Sequence, residues 1–271
     1  MSTLAGDPLL SALAACAVLA AGCWLLSIVT GNYSQVDRLW SLAPPAYVLY
    51  FAARTGFTDA RLNVMALLTV LWGARLTYNF ARKGGYRRGH EDYRWPELRR
   101  ILGPAAFQIL NATFVAPYQN LLLLLIALPA YVAWHNAGAP LGALDYAAAA
   151  AFLCFLFGET VADQQQWRFQ CAKQVRRAQG ERVEPEFLTT GLFRYSRHPN
   201  FFCEMAMWWM IYLFAVAATG SWLNWSIIGT VLLTFLFQGS TRFTERLMLA
   251  KYPAYGDYQR VTSRLVPRRP A

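Results

Sequence analysis

Long apolar runs recur along the chain and are separated by shorter polar segments. A helix needs about 20 apolar residues to cross a bilayer, and candidate stretches cover 8–30, 39–53, 62–81, 107–134, 143–162, 201–219 and 222–241. The second is short and contains Pro44-Pro45, which predicts a kinked or tilted helix. The fourth contains Pro117 and three amide side chains, so it is either one broken helix or a re-entrant piece plus a span. The pattern predicts an all-α integral membrane protein of about seven transmembrane helices in one bundle, a single polytopic domain over 1–271.

Composition supports this class. The chain has 271 residues, of which 56% are hydrophobic and 15% charged, whereas soluble domains carry about 25% charged residues. This balance excludes a disordered chain and disfavours an ordinary soluble enzyme. The five cysteines form no C-x-x-C pair and the three histidines show no ligand spacing, so we expect neither a disulfide framework nor a metal site.

The net charge of +10 is concentrated in three segments. Segments 82–104, 163–200 and the tail after 241 each hold seven Lys or Arg, 21 of the 25 in the chain. With seven spans these segments share one side, which the positive-inside rule makes cytosolic, with the N-terminus outside. The membrane is then a bacterial inner membrane or the endoplasmic reticulum. These charges either determine the orientation in the membrane and attract anionic lipids, or they form a pocket that binds a phosphorylated cofactor. Nucleic acid is not an expected partner.

One stripe of polar residues runs along the fifth stretch and its extension. Glu159, Asp163, Gln166 and Gln170 are spaced four, three and four residues apart, which places them on one helix face. Ionisable groups at membrane depth are costly and are candidates for function. A helix end dipping into the headgroups would explain Asp163 and the later residues but fits Glu159 poorly.

The turn before the sixth stretch gathers groups that bind anions. Its sequence, GLFRYSRHPNFFCE (191–204), places Arg197, His198 and Asn200 at the start of a helix, where free backbone N–H groups attract anions. Glu204 follows one turn deeper among apolar residues. The segment predicts a ligand site, and the alternative is an ordinary capped helix start.

Three further helix faces carry polar residues near the ends of predicted spans: Gln238, Thr241 and Glu245; Arg75 and Asn79; and Tyr33, Asp37 and Ser41. Each set is a candidate for function, and the alternative is that its side chains lie at the membrane interface. Tyr255 lies in the aromatic segment behind the last span, where the alternative is an interfacial tyrosine belt.

Together these segments resemble the steroid 5-alpha-reductase superfamily, and most closely its DUF1295-type membrane proteins. The segment 191–204 is similar to the signature of the 3-oxo-5-alpha-steroid 4-dehydrogenase C-terminal domain. The resemblance covers roughly 30–267 and includes VDRLWSLAP (36–44), WGARLTYNF (72–80), HEDYRW (90–95), ETVADQQQWRFQ (159–170) and YPAYGDYQRVTSRLVP (252–267).

The resemblance implies a helical bundle with a cofactor cavity open to the cytosol. It implies NADPH as cofactor, and hydride transfer to the carbon–carbon double bond of an enone lipid such as a 3-oxo-4-ene steroid. The cofactor-binding residues implied by position are Asn200, Glu204, Arg197, His198, Asp163, Arg168, Arg75, Glu159, Glu245 and Tyr255.

Two positions depart from the steroid enzymes, in which a Glu and a Tyr engage the substrate carbonyl. An ungapped placement puts Asp37 and Trp72 at these catalytic positions. A protonated Asp37 could serve as the acid, whereas the Trp72 indole N–H cannot deliver a proton. These two differences from the steroid enzymes weaken the expectation of a steroid substrate more than they weaken the expectation of a reductase.

The main rival interpretation is a membrane methyltransferase. Isoprenylcysteine carboxyl methyltransferases and related phospholipid enzymes, which use S-adenosylmethionine, also show an Arg-His-Pro turn and a later glutamate, here matched by 197–199 and Glu245. The N-terminal motifs and the many arginines favour the reductase. A lipid-binding or sterol-sensing bundle without enzymatic activity is the third interpretation.

Overall fold

A computed structural model describes residues 6–270, and within this range the chain is helical without any β-strand. The all-α prediction is therefore confirmed. A π-helical stretch covers Asn111–Tyr118, and a short 3-10 turn covers Gly191–Arg194. The α-helices are α1 Pro8–Thr30, α2 Gln35–Leu39, α3 Ala43–Ala53, α4 Ala60–Arg82, α5 Arg94–Leu102, α6 Pro104–Leu110, α7 Gln119–Leu125, α8 Leu128–His135, α9 Ala143–Ala178, α10 Pro199–Thr219, α11 Ile227–Lys251 and α12 Tyr255–Val261.

Five helical segments in this range are long and apolar enough to cross a membrane: Pro8–Thr30, Ala60–Arg82, Pro104–His135, Ala143–Ala178 and Pro199–Thr219. Each coincides with a stretch predicted from hydropathy. A multi-pass membrane protein follows from them, while the number of seven spans and the orientation of the termini stay predictions.

The stretch predicted at 39–53 forms a shorter helix than a span requires. Pro44 and Pro45 lie in the first turn of α3, where proline is accepted because these positions need no intrahelical N–H donor. The 11 residues of α3 extend about 17 Å, roughly half of the hydrocarbon thickness. Helix α4 approaches the start of α3 closely at Gly73, where an added Cβ would lie 2.8 Å from the Pro45 side chain and 2.5 Å from the Ser41 carbonyl oxygen just before α3.

The stretch predicted at 222–241 is displaced towards the C-terminus. Helix α11 begins at Ile227 and continues to Lys251. Its first half is apolar, but Gln238, Arg242 and Glu245 follow in its second half. This polar half explains why α11 is not among the five apolar helices.

The stretch predicted at 107–134 is a chain of consecutive helical pieces. Helix α6 passes into the π-helical stretch, which contains Pro117, and α7 and α8 continue to His135. Proline removes one intrahelical hydrogen bond, and the wider π-turns accommodate it. Of the two alternatives, the structure has the broken helix.

The chain divides into two compact units. The first unit comprises the residues up to Ala149 together with Ile211–Thr230, and the second comprises Ala150–Met210 and Val231–Ala271. The single domain over 1–271 stays a prediction.

A buried ion pair fastens the first unit at the start of α4. Arg61 Nε donates to Asp145 Oδ1 at 2.7 Å and Nη2 donates to Oδ2 at 3.0 Å. Both side chains are at most 3% exposed. Arg61 is the second residue of α4. Burial is tolerated because the two opposite charges are joined by two hydrogen bonds, and Arg61 Nη2 also donates to the Pro140 carbonyl.

Candidate functional site

In the second unit, the Arg-His-Pro turn is bound to the C-terminal tail by backbone hydrogen bonds. Arg197 N donates to the Ser263 carbonyl at 2.8 Å, and His198 N donates to the Arg264 carbonyl at 3.1 Å. Ser196 Oγ donates to the Leu265 carbonyl at 2.7 Å. The tail therefore fixes the residues that precede α10, which are more than 60 positions away in sequence.

Glu245 of α11 is the centre of a buried network of charges. Its carboxylate forms a bidentate pair with Arg197, with Nε to Oε1 at 2.7 Å and Nη2 to Oε2 at 3.0 Å. His198 Nε2 lies 3.0 Å from Oε1, and Gln259 Nε2 donates to Oε2 at 3.0 Å. The two oxygens thus receive four hydrogen bonds, which is the full capacity of a carboxylate.

This arrangement determines the protonation of the network. Burial by itself would raise the pKa of Glu245, but the hydrogen bonds from His198 and Arg197 outweigh it and hold that pKa at about 2. Glu245 is therefore ionised at neutral pH, and His198 Nε2 must carry a proton to donate to it. The carboxylate orients the arginine and the histidine and has no acceptor site left for a ligand.

Arg197 is engaged through most of its guanidinium. In addition to Glu245, Nη1 donates to the carbonyl oxygens of Gln259 and Thr262. Four of the five N–H groups of this guanidinium thus donate hydrogen bonds within the protein. The predicted contact of Arg197 with a cofactor stays a prediction, and it would have to use the remaining hydrogen of Nη2.

Tyr255 joins the same network from α12. It is 4% exposed, and it interacts electrostatically with Arg197 and Glu245. Burial raises its pKa, and the Glu245 carboxylate raises it further. The Phe187 ring packs edge-on against it, with centroids 5.0 Å apart. Three predicted site residues, Arg197, His198 and Tyr255, therefore meet around a fourth, Glu245.

The polar stripe of α9 is most deeply buried at its N-terminal end. Glu159 is 2% exposed and Asp163 is 5% exposed, whereas Gln166 and Gln170 are half-buried. Arg168, which lies outside this stripe, is exposed. Helix α9 packs tightly on α10 where Gly158 faces Cys203, because an added Cβ would lie 3.0 Å from the cysteine sulfur. Glu159 follows Gly158 directly along α9, at the level where the two helices meet.

Asn200 and Glu204 occupy the first two turns of α10. Asn200 is half-buried, and Glu204 is 8% exposed. Glu204 directly follows Cys203, the residue of α10 that Gly158 faces. The second unit therefore has buried carboxyl groups on both helices, Glu159 and Asp163 on α9 and Glu204 on α10.

A group of arginines lies beside this network. The Arg264 guanidinium donates to Gln238 Oε1. Burial lowers the pKa of Arg264, and the positive charges of Arg242 and Arg197 lower it further, whereas the Glu245 carboxylate raises it. Three arginines thus interact electrostatically beside one carboxylate, and such a group of cations is suited to an anionic ligand.

In the first unit, Asp37 lies on the short helix α2. Its Oδ2 accepts a hydrogen bond from Trp95 Nε1 at 2.9 Å. Burial raises the pKa of Asp37, and the effects of Arg94 and Asp92 on it have opposite signs. The residue that holds the predicted acid is thus Trp95, which we did not predict as a site residue although it ends the HEDYRW motif.

The other two predicted residues of this unit lie on α4. Trp72 is fully buried at 0% exposure, next to the close approach at Gly73. Arg75 follows one turn later and is half-buried. Their predicted roles towards substrate and cofactor stay predictions.

The network and the tail also contain residues that the sequence interpretation missed, namely Gln259 and Arg264. Both lie in the tail segment that contributed to the resemblance, but their spacing alone does not indicate a contact with Glu245 or Gln238. No local pattern could have indicated these partners, because the pairs are 14 and 26 residues apart.

Comparison with known proteins assigns the family. A family model described as "Protein of unknown function (DUF1295)" matches residues 23–262. An uncharacterized protein of Schizosaccharomyces pombe is 41% identical over 259 residues, which cover 90% of this chain and 75% of that protein. No solved structure matches the chain. The chain therefore belongs to the DUF1295 family, a steroid 5-alpha-reductase-like family of membrane proteins.

Proposed function

We propose that this protein reduces the carbon–carbon double bond of an enone lipid, such as a 3-oxo-4-ene steroid, with NADPH as the reductant. One observation supports this reaction above others: burial raises the pKa of the Asp37 carboxyl, and an indole N–H anchors it at 2.9 Å. A raised pKa favours the protonated form of a carboxyl, and a protonated carboxyl can donate to a carbonyl oxygen on which negative charge develops.

The donors of the second unit suit a phosphorylated dinucleotide. Arg264 and Arg242 offer crowded positive charge, Asn200 offers an amide at the start of α10, and Arg168 is exposed on α9. When bound, NADPH supplies the hydride. The arginines would bind its phosphates, and Asn200 and Glu204 would orient the nicotinamide amide or the ribose hydroxyls. Glu245 keeps Arg197 and His198 in place beside them.

A second candidate is methyl transfer from S-adenosylmethionine. It is supported by the contact between Arg197 and Glu245, which joins the Arg-His-Pro turn to the later glutamate of that pattern. S-adenosylmethionine has no phosphate, however, so it gives no reason for the crowded arginines. It also gives no role to the buried Asp37 carboxyl.

Direct ligand titration separates the two candidates. We expect the protein, purified in mild detergent, to bind NADPH saturably and NADH more weakly, because only NADPH carries the 2′-phosphate for the arginines. Energy transfer from tryptophan to the reduced nicotinamide measures both, and calorimetry measures S-adenosylmethionine. Binding of S-adenosylmethionine alone would contradict the reductase and establish the second candidate.

Substitution of Asn200 or Glu204 by alanine is expected to weaken NADPH binding about 10- to 100-fold, since each removes a hydrogen bond worth about 1.5–3 kcal/mol to a polar or charged partner. The same titration measures the loss, and a thermal melt verifies folding. Asn136→Ala, at an exposed position beyond α8, is the matched control. Normal affinity in both variants would show that these side chains do not bind the cofactor.

A further inference from the structure

Two segments that are distant in sequence run side by side in the first unit. Four hydrogen bonds join the start of α2 to the HEDYRW segment, and in each the partners are 58 positions apart: Asn32 Nδ2 to the His90 carbonyl at 2.8 Å, Tyr33 N to Glu91 Oε1 at 2.9 Å, Asp92 N to Ser34 Oγ at 2.8 Å, and Trp95 Nε1 to Asp37 Oδ2 at 2.9 Å. The constant offset means that the two segments keep one register from end to end.

The helix that carries Trp95 is fixed from a second direction. Arg99, one turn later on α5, donates to Glu91 Oε2 at 3.0 Å, and its guanidinium lies 5.2 Å from the Tyr33 ring centroid. Tyr33 in turn packs edge-on against Phe107 at 4.7 Å. Trp95 is only 5% exposed. The indole therefore has little freedom to turn away from Asp37.

Two neutral side chains hydrogen-bond to the Asp37 carboxyl, the Trp95 indole and the Ser34 hydroxyl, and the indole is the donor to Oδ2. Arg94 Nε donates to Asp92 Oδ1 at 2.7 Å and Nη2 donates to Oδ2 of Asp92 at 3.2 Å. The positive charge of Arg94 and the negative charge of Asp92 act on the pKa of Asp37 with opposite signs. The indole therefore contributes a directed hydrogen bond to one oxygen of the carboxyl, in a charge environment that is partly compensated.

We propose that Trp95 is a positioning residue for catalysis, which holds Oδ2 of Asp37 so that Oδ1 presents its proton to the carbonyl oxygen of the enone substrate. The proposal rests on the proposed reductase function, and it assigns the HEDYRW segment a role in that reaction.

The proton balance of this step is simple. As a hydride is added at the β carbon, the carbon–carbon π pair moves towards the carbonyl and the oxygen takes the proton of Asp37 Oδ1. The resulting enol then takes a proton from water at its α carbon and returns the oxygen-bound proton to Asp37. The net uptake is one hydride and one proton, and the carboxyl is regenerated.

Trp95→Phe tests the role of the indole. We expect the turnover number to fall about 100-fold, as for a reacting group that is misplaced by about 1 Å, while NADPH affinity is unchanged. The alkaline limb of the pH–rate profile is expected to move to higher pH, because the lost N–H donor favoured the ionised carboxylate. Trp24→Phe, at a partly exposed tryptophan of α1, is the matched control for loss of an indole.

A loss of stability alone would lower activity without moving the alkaline limb upwards. If Trp95→Phe reduces the enone as fast as the wild type, the positioning role is wrong although the reductase function stands. If the wild type binds neither NADPH nor an enone, the function itself fails.

A smaller chemical change tests the same proposal if the Trp95→Phe variant does not fold. Trp95→β-(3-benzothienyl)alanine keeps the ring shape and replaces only the N–H by sulfur. The infrared carbonyl band of a 3-oxo-4-ene steroid bound without cofactor reports its hydrogen bond to Asp37. We expect this band to shift to lower frequency in the wild type and to return towards its position in apolar solvent in the variant. The same band position in both proteins would overturn the proposal.

Discussion

Asp37→Asn is expected to lower the turnover number of enone reduction about 1,000-fold, in the range that general acid catalysis contributes, and to leave NADPH affinity unchanged. An amide donates a hydrogen bond to the carbonyl oxygen but cannot transfer a proton to it. Trp72 is fully buried, and its indole N–H cannot replace the acid either. The measurement is steady-state reduction of an enone lipid in detergent, together with the NADPH titration.

The control is Asp257→Asn, because Asp257 is 74% exposed and pairs only with the exposed Arg260 in the structure described for 6–270. Turnover of this variant should equal that of the wild type. An unchanged turnover number of Asp37→Asn would remove Asp37 from the reaction, whereas a parallel loss of NADPH affinity would assign it a structural role.

Glu245→Ala is expected to destabilise the second unit by about 3–5 kcal/mol, because it leaves the buried Arg197 without its counter-charge. Both side chains are at most 9% exposed, so water cannot replace the carboxylate. Thermal unfolding in detergent measures the loss. The double variant Arg197→Met/Glu245→Leu removes both charges and should recover most of the stability, since an apolar pair of similar size replaces the ion pair.

The exposed pair of Asp257 and Arg260 is the matched control. Asp257→Ala should cost less than about 1 kcal/mol because solvent screens this pair. If Glu245→Ala were equally mild, the network around Glu245 would not hold the Arg-His-Pro turn.

The same carboxylate predicts a dependence of stability on pH. The pKa of Glu245 is about 2 in the folded protein, against an ordinary value of 4.5. Because the folded pKa is the lower one, the stabilisation is complete above 4.5 and is lost as the pH falls towards 2. The Glu245→Gln variant should not show this loss of stability between pH 4.5 and 2. Unfolding of both proteins at a series of pH values measures the difference.

The local pattern of the sequence determined the helical class and the position of the spans. Hydropathy depends on residues adjacent in the chain, so the bounds predicted for the first, third and sixth stretches agree closely with α1, α4 and α10. The fifth stretch was predicted to begin where α9 begins, but α9 continues 16 residues beyond the predicted end, to Ala178. Prolines act locally as well: Pro44 and Pro45 mark the start of α3, and Pro117 lies in the π-helical stretch. The alternation of apolar and basic segments likewise followed from the order of residues alone.

Part of the candidate site could also be predicted from the sequence. Helical spacing indicated that Asn200 and Glu204 share a face, and that Glu159 and Asp163 share another. Spacing could not separate a ligand group from a structural one. Only the four hydrogen bonds to Glu245 show that this carboxylate is saturated by the protein itself.

The tertiary structure alone decided which distant groups meet. The pairing of 32–37 with 90–95, and that of Arg197 with Glu245, join positions 58 and 48 residues apart. A residue's partner over such distances depends on how helices pack against each other, which no local propensity encodes. The sequence thus determined the helices and the residue types available for chemistry, while packing decided that Trp95 would anchor Asp37 and that Glu245 would orient Arg197 and His198.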